Sequence, residues 1–121
     1  MTTTILDIAQ GSEEWLAARS GLVTASVVGK LLTPTLKVAD NDTSRGLLAT
    51  LVGERITGNV DDVYISSDMW RGVEEEPFAR DAYSEHHAPV TEVGFMLAEI
   101  DGHKVGYSPD GLVGEDGLIE V

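Results

Sequence analysis

Tyr107-Ser108-Pro109-Asp110-Gly111-Leu112-Val113, a Gly114-Glu115-Asp116-Gly117 turn, and Leu118-Ile119-Glu120-Val121 form the last fifteen residues of a 121-residue chain. Two short apolar runs on either side of a Gly- and Asp-rich turn predict a β-hairpin. Asp110 lies at the end of one strand, and Glu120 follows ten positions later on its partner. A hairpin of that length brings the two carboxylates together. Two acids and a backbone carbonyl make a hard, all-oxygen site suited to Mg²⁺ or Mn²⁺. Such an ion polarises a phosphate and generates hydroxide near neutral pH. A plainer reading stands beside this one, because Ser-Pro-Asp-Gly is a strong β-turn sequence and Glu120 suits an ordinary strand face. On turn chemistry alone the plainer reading is the stronger.

Working back from the hairpin, His103 to Tyr107 and the loosely alternating Val90 to Ile100 predict two strands joined at Asp101-Gly102. Everything upstream is helical in pattern. Ser12 caps a short helix, Glu13 to Arg19, which Gly21 stops. Thr24 or Ser26 caps a second helix through Leu32, ended by Pro34, and Leu36 to Asp42 is a loop. A third helix runs from about Thr43 to Thr57, with Leu47, Leu48, Leu51, Val52 and Ile56 on one stripe and Gly58-Asn59 as its stop. A fourth spans about Ser67 to His86, where Pro77 implies a kink or a late start. The expected fold class is α+β, with N-terminal helices packed on a small, mostly antiparallel sheet that is cut off at its last strand.

Composition bounds the function. Apolar residues make up 42% and charged residues 24%, an ordinary globular balance. No apolar run approaches a membrane span, and the N-terminus lacks the basic start and apolar block of a signal peptide. With no cysteine, disulfides and thiolate metal sites are excluded, which fits a reducing cytoplasm. Eight Lys and Arg against 21 Asp and Glu give a net charge of −13. That sign argues against a phosphate-rich partner. Bound cations would neutralise part of it.

Two further stretches carry polar chemistry. In Trp70-Arg71-Gly72-Val73-Glu74-Glu75-Glu76-Pro77-Phe78-Ala79-Arg80, Glu76 and Arg80 are four apart and share a helix face. A helix acid packed beside the sheet reaches a metal site at the strand ends, although an isolated Glu-Glu-Glu run is more often a solvated face. In Gly11-Ser12-Glu13-Glu14-Trp15-Leu16-Ala17-Ala18-Arg19, followed by Thr24-Ala25-Ser26, an arginine and hydroxyls are natural phosphate ligands. Taken singly, Trp15 is a core anchor and Thr24 and Ser26 are caps. His86, His87 and His103 have no metal-binding spacing.

In this order the three motifs resemble the lambda-exonuclease family, which includes the YqaJ-type viral recombinases of the PD-(D/E)XK nuclease superfamily. The resemblance spans Gly11 to Val121. It implies a restriction-endonuclease-like core in which Glu76, Asp110 and Glu120, with the Val121 carbonyl, hold Mg²⁺ or Mn²⁺ as two ions. It also implies that Arg19, Ser26 and Ser108 hold a 5′-terminal phosphate. The implied reaction is hydrolysis of one strand of duplex DNA from a 5′ end, leaving a 3′ overhang for a single-strand annealing protein. A homotrimeric ring and a phage or prophage origin in a bacterial cytoplasm follow from the same resemblance. The family motif continues Glu-x-Lys, whereas this sequence stops at Glu120-Val121. It therefore reads as the N-terminal part, residues 1–121, of a single nuclease domain whose later strands and helices are missing, and as inactive by itself. An endonuclease or repair nuclease with the same metal site, and a non-catalytic acidic protein-binding module, are the rival functions.

Overall fold

A computed structural model of the chain describes residues 1–61 and 66–121. In chain order its elements are β1 (Thr2–Leu6), α1 (Glu13–Arg19), β2 (Val23–Thr24), a 3₁₀ turn (Val28–Leu31), α2 (Asp42–Thr57) and α3 (Ser67–His86). Five strands follow: β3 (Val90–Thr91), β4 (Phe95–Ile100), β5 (His103–Tyr107), β6 (Gly111–Val113) and β7 (Gly117–Ile119). This is the α+β class expected, with helices first and antiparallel hairpins last.

The β4–β5 hairpin is the framework. Asp101 (φ 51°) and Gly102 (φ 81°) both adopt left-handed conformations, as a two-residue hairpin turn of this kind requires. The turn fixes the register from Ile100↔His103 down to Met96↔Tyr107. β1 joins the outer edge of β4 in antiparallel fashion, and β2 joins β5 in parallel, giving the order β1-β4-β5-β2. β3, β6 and β7 form a separate antiparallel sheet.

Several expectations are corrected here. Val90 to Ile100 is two strands in two sheets. The break falls at Gly94, where a Cβ would stand 1.6 Å from the Ile8 carbonyl oxygen, so the chain passes too close to Ile8 to continue straight. The second helix shrinks to the 3₁₀ turn, because Val23-Thr24 pairs with Val105 and Gly106 instead. Neither Thr24 nor Ser26 caps it; Val27 occupies that position without a side-chain bond. β1 lies in a stretch to which no element had been assigned, although its Thr-Thr-Thr-Ile sequence is a strand former.

α2 starts at the Asn41–Ser44 capping box and ends at a left-handed Gly58. Its apolar stripe is narrower than expected: Leu47 and Leu51 are buried, while Leu48, Val52 and Ile56, one file round the helix, are exposed. α3 begins at Ser67 under a Ser66 cap and carries Pro77 inside it, so its start is not late.

Phe95 is the centre of the core at 1% exposure. Its ring lies against Gly106 of β5, where an added Cβ would come within 2.1 Å of Cζ. Glycine at that position is what lets the ring lie on the sheet. Phe95→Ala is expected to cost about 3–5 kcal/mol in urea denaturation, and Gly106→Ala about 1–3 kcal/mol by overpacking. Leu118→Ala, at a half-exposed position, serves as the control and should change little.

Candidate metal and phosphate site

Ser108-Pro109-Asp110 crosses from the end of β5 to the start of β6, and so from one sheet to the other. A crossing segment has no ladder partners, so its polar groups need donors from elsewhere. Each residue has one. The Trp15 indole Nε1 donates to Ser108 Oγ at 2.9 Å. Gln10 Nε2 donates to the Pro109 carbonyl at 3.1 Å and to the Val93 carbonyl at 3.2 Å. Arg80 Nη1 donates to the Asp110 carbonyl at 3.4 Å, and the Val121 N–H donates to Asp110 Oδ2 at 2.7 Å. Pro109 is fully buried beneath these contacts.

The acids are placed by the same frame. The β6–β7 register pairs Gly111 with Ile119, so its continuation sets Asp110 opposite Glu120. Glu76 reaches this corner indirectly, through its ion pair with Arg80 one helical turn on. The pairing expected from the four-residue spacing is therefore present, and it is shielded: the Arg80 and Glu76 side chains are 12% and 23% exposed. Arg80 Nη2 also lies 3.5 Å from Glu92. Among the described residues no three acidic or histidine side chains form a ready ion-holding group. Asp110 and Glu120 supply a facing pair, while Glu76 is held on Arg80. At Val121 it is the backbone N–H that engages Asp110.

Arg19, Ser26 and Ser108 do come together. They line one cavity of about 410 Å³ with Trp15, Thr24 and Glu120. Arg19 Nη2 lies 3.4 Å from Ser26 Oγ, and its guanidinium carbon stacks 4.2 Å from the Trp15 ring centre. The Thr24 and Ser26 hydroxyls are hydrogen-bonded at 3.0 Å. Burial lowers the Arg19 pKa from its ordinary value, and the charge of Glu54 acts in the opposite direction. An arginine so placed still carries its charge at neutral pH. A guanidinium and three hydroxyls facing one space suit a phosphate, and Glu120 adds a carboxylate to the same lining.

Sequence reading misassigned Trp15. It is half-buried at the cavity, holding Ser108 by its N–H and Arg19 by its ring, and is not a core anchor. Gln10 was missed altogether, since a lone glutamine before a helix gives no local sign of partners 83 and 99 residues away. The Thr24 and Ser26 hydroxyls serve the cavity, not a helix end.

Arg80 holds two elements together, and this can be measured. Arg80→Met is expected to destabilise the protein by about 1–3 kcal/mol, because it leaves Glu76 and the Asp110 carbonyl without their donor. Adding Glu76→Gln should recover part of the loss in thermal or urea unfolding. A double variant as unstable as the sum of the singles would refute the coupling.

Residues 14–121 match the family model of the YqaJ-like viral recombinase domain. The crystal structure of an alkaline exonuclease (LHK-Exo) from Laribacter hongkongensis is similar at 42% identity and a TM-score of 0.70. The structure of LHK-Exo in complex with dAMP is similar at the same identity and a TM-score of 0.72. Each comparison covers 90% of this chain and 52% of the other, so the chain spans about half the length of that exonuclease. No curated protein matches. By the family model and this likeness, the chain belongs to the YqaJ-like viral recombinase domain family.

Proposed function

We propose that the protein is a metal-dependent DNA exonuclease that digests one strand of a duplex from its 5′ end in recombination. One observation carries the proposal: the phosphate-type ligands Arg19, Ser26 and Ser108 share a single cavity with the acid Glu120. A bound terminal phosphate would thus lie beside the carboxylates that serve hydrolysis. The relative with this fold is an alkaline exonuclease, and its complex with dAMP holds a mononucleotide of the kind such a reaction releases.

In this reading Arg19 neutralises the terminal phosphate, and the Ser26 and Ser108 hydroxyls fix its orientation. Trp15 holds both sides of that pocket through its bond to Ser108 and its contact with Arg19. Asp110, Glu120 and Glu76, with the Val121 carbonyl, are the oxygen donors that would hold Mg²⁺ or Mn²⁺, and the donor set is of the hard type those ions prefer. When bound, the ions supply phosphate polarisation and a nucleophile at neutral pH. The hairpin register sets Asp110 opposite Glu120, where a cation would be held between them, and Arg80 keeps Glu76 at the same corner.

A trimeric ring around the duplex and transfer of the 3′ overhang to a single-strand annealing protein complete the proposal. Charge is then needed only where DNA passes, which accommodates a net −13. No helix among the described residues is long and apolar enough to cross a membrane.

The test is degradation of 5′-phosphorylated and 5′-hydroxyl duplex ends by the full-length protein. Phosphorylated ends should be digested faster, and Arg19→Ala should erase the difference with a loss of roughly 10- to 100-fold, the worth of a charged hydrogen bond of about 1.5–3 kcal/mol. Equal rates on both ends in the unsubstituted protein would overturn the phosphate pocket. In parallel, Mg²⁺ or Mn²⁺ should raise the melting temperature, and Asp110→Asn should abolish that rise.

A further inference from the structure

The turn that delivers Arg19 to the cavity is held from outside by α2. Arg19 is the last residue of α1, and the chain reverses through Ser20, Gly21 and Leu22 into β2. Gly21 has a φ of +70°, and both its peptide groups are taken by adjacent residues of α2. Glu54 Oε1 accepts from the Gly21 N–H at 2.9 Å, and Arg55 Nε donates to the Gly21 carbonyl at 2.8 Å. Ser20 Oγ donates to the Glu54 carbonyl at 3.4 Å, adding a third tie. The Arg55 side chain lies so close that a Cβ on Gly21 would stand 2.3 Å from its Cγ.

This arrangement is more specific than helix packing needs. Two charged side chains from consecutive positions grip one glycine as donor and acceptor, two residues from the cavity arginine and five from Ser26. The gripped turn also leads into β2, whose short pairing with β5 sets Thr24 and Ser26 beside Arg19 at the cavity. Neither Glu54 nor Arg55 lines the cavity. Their side chains therefore act on it through the turn at Ser20 and Gly21, apart from the direct field of Glu54 on Arg19.

We infer that Glu54 and Arg55 are positioning residues for phosphate recognition, clamping Gly21 so that Arg19 and Ser26 meet at the cavity wall. This rests on the proposed role of Arg19, Ser26 and Ser108 as the 5′-phosphate pocket. Misplacement by about 1 Å costs up to 10²-fold in reactions that depend on positioning, so loss of the clamp should be visible without loss of the fold.

The charge and the hydrogen bond of Glu54 predict opposite results, and that makes the idea testable. Removing a negative charge near Arg19 should by itself strengthen anion binding. Glu54→Gln removes the charge and keeps an acceptor for the Gly21 N–H, whereas Glu54→Ala removes both. The full-length protein is compared with Glu54→Gln, Glu54→Ala, Arg55→Met and Arg19→Ala, each first shown to be folded by circular dichroism. The readouts are the Kd for inorganic phosphate, measured by isothermal titration calorimetry, and the ratio of kcat/KM on 5′-phosphorylated over 5′-hydroxyl ends.

The clamp predicts that Glu54→Gln binds phosphate at least as tightly as the unsubstituted protein. Glu54→Ala and Arg55→Met should weaken binding and lower the end-preference ratio by about tenfold, mostly in KM, within the range that misplacement produces. If Glu54→Ala also binds phosphate more tightly, Glu54 acts only by its field and the clamp is refuted. If Glu54→Ala lowers turnover on both kinds of end equally, the role is general structure and the clamp is again refuted. If Arg19→Ala leaves the ratio unchanged, the phosphate pocket itself fails, which is a distinct outcome.

Discussion

The site hangs on the three-residue crossing Ser108-Pro109-Asp110, whose groups bond outside any β-ladder. Each hydrogen bond there contributes only about 1 kcal/mol net, but an unmet buried carbonyl costs about 1–3 kcal/mol. The Pro109 and Asp110 carbonyls therefore depend on Gln10 and Arg80, while Trp15 and Val121 hold the Ser108 hydroxyl and the Asp110 carboxylate. Those donors come from α1, the turn before it, α3 and the residue after the last hairpin. Holding one short segment thus fixes how the helices sit on both sheets. The cavity between Arg19 and Glu120 is the space left once that placement is made.

Charge is distributed in the same economical way. In a chain of net −13, one arginine, Arg19, is stacked on an indole and partly shielded from water. A second, Arg80, sits among Glu76, Glu92 and the Asp110 carbonyl. Two guanidiniums with different surroundings thus divide the site: one faces open space beside hydroxyls, the other is consumed by carboxylates. The total charge of the chain says little about either. What decides an arginine's role is whether its partners leave it with unspent donors.

What could be read from sequence follows the range of each interaction. The Asp101-Gly102 turn, the Ser12 cap and the Glu76–Arg80 pair rest on neighbours within a few residues, and all three are found. The Asp110–Glu120 juxtaposition was legible because a hairpin is also local. The second helix failed because Val23-Thr24 found pairing on β5, more than 80 residues away. Val90 to Ile100 reads as one strand in the sequence because nothing nearby reveals the approach of Ile8 to Gly94. Arg19, Ser26 and Ser108 could be grouped only through resemblance to a family, since no spacing rule links a helix end to a strand end. The roles of Gln10 and Trp15 had neither source, and only the folded arrangement displays them.

The separation of these contacts along the chain has a consequence for how the site comes into being. Gln10 meets Pro109 across 99 residues and Trp15 meets Ser108 across 93. Loop closure over such spans is entropically costly, and chains dominated by distant contacts fold slowly. Neither side of the cavity is complete until its counterpart, 93 residues away in the sequence, is in place. A ribosome must have released almost the whole of this stretch before the cavity can close, so a partly synthesised chain carries its two sides as separate pieces.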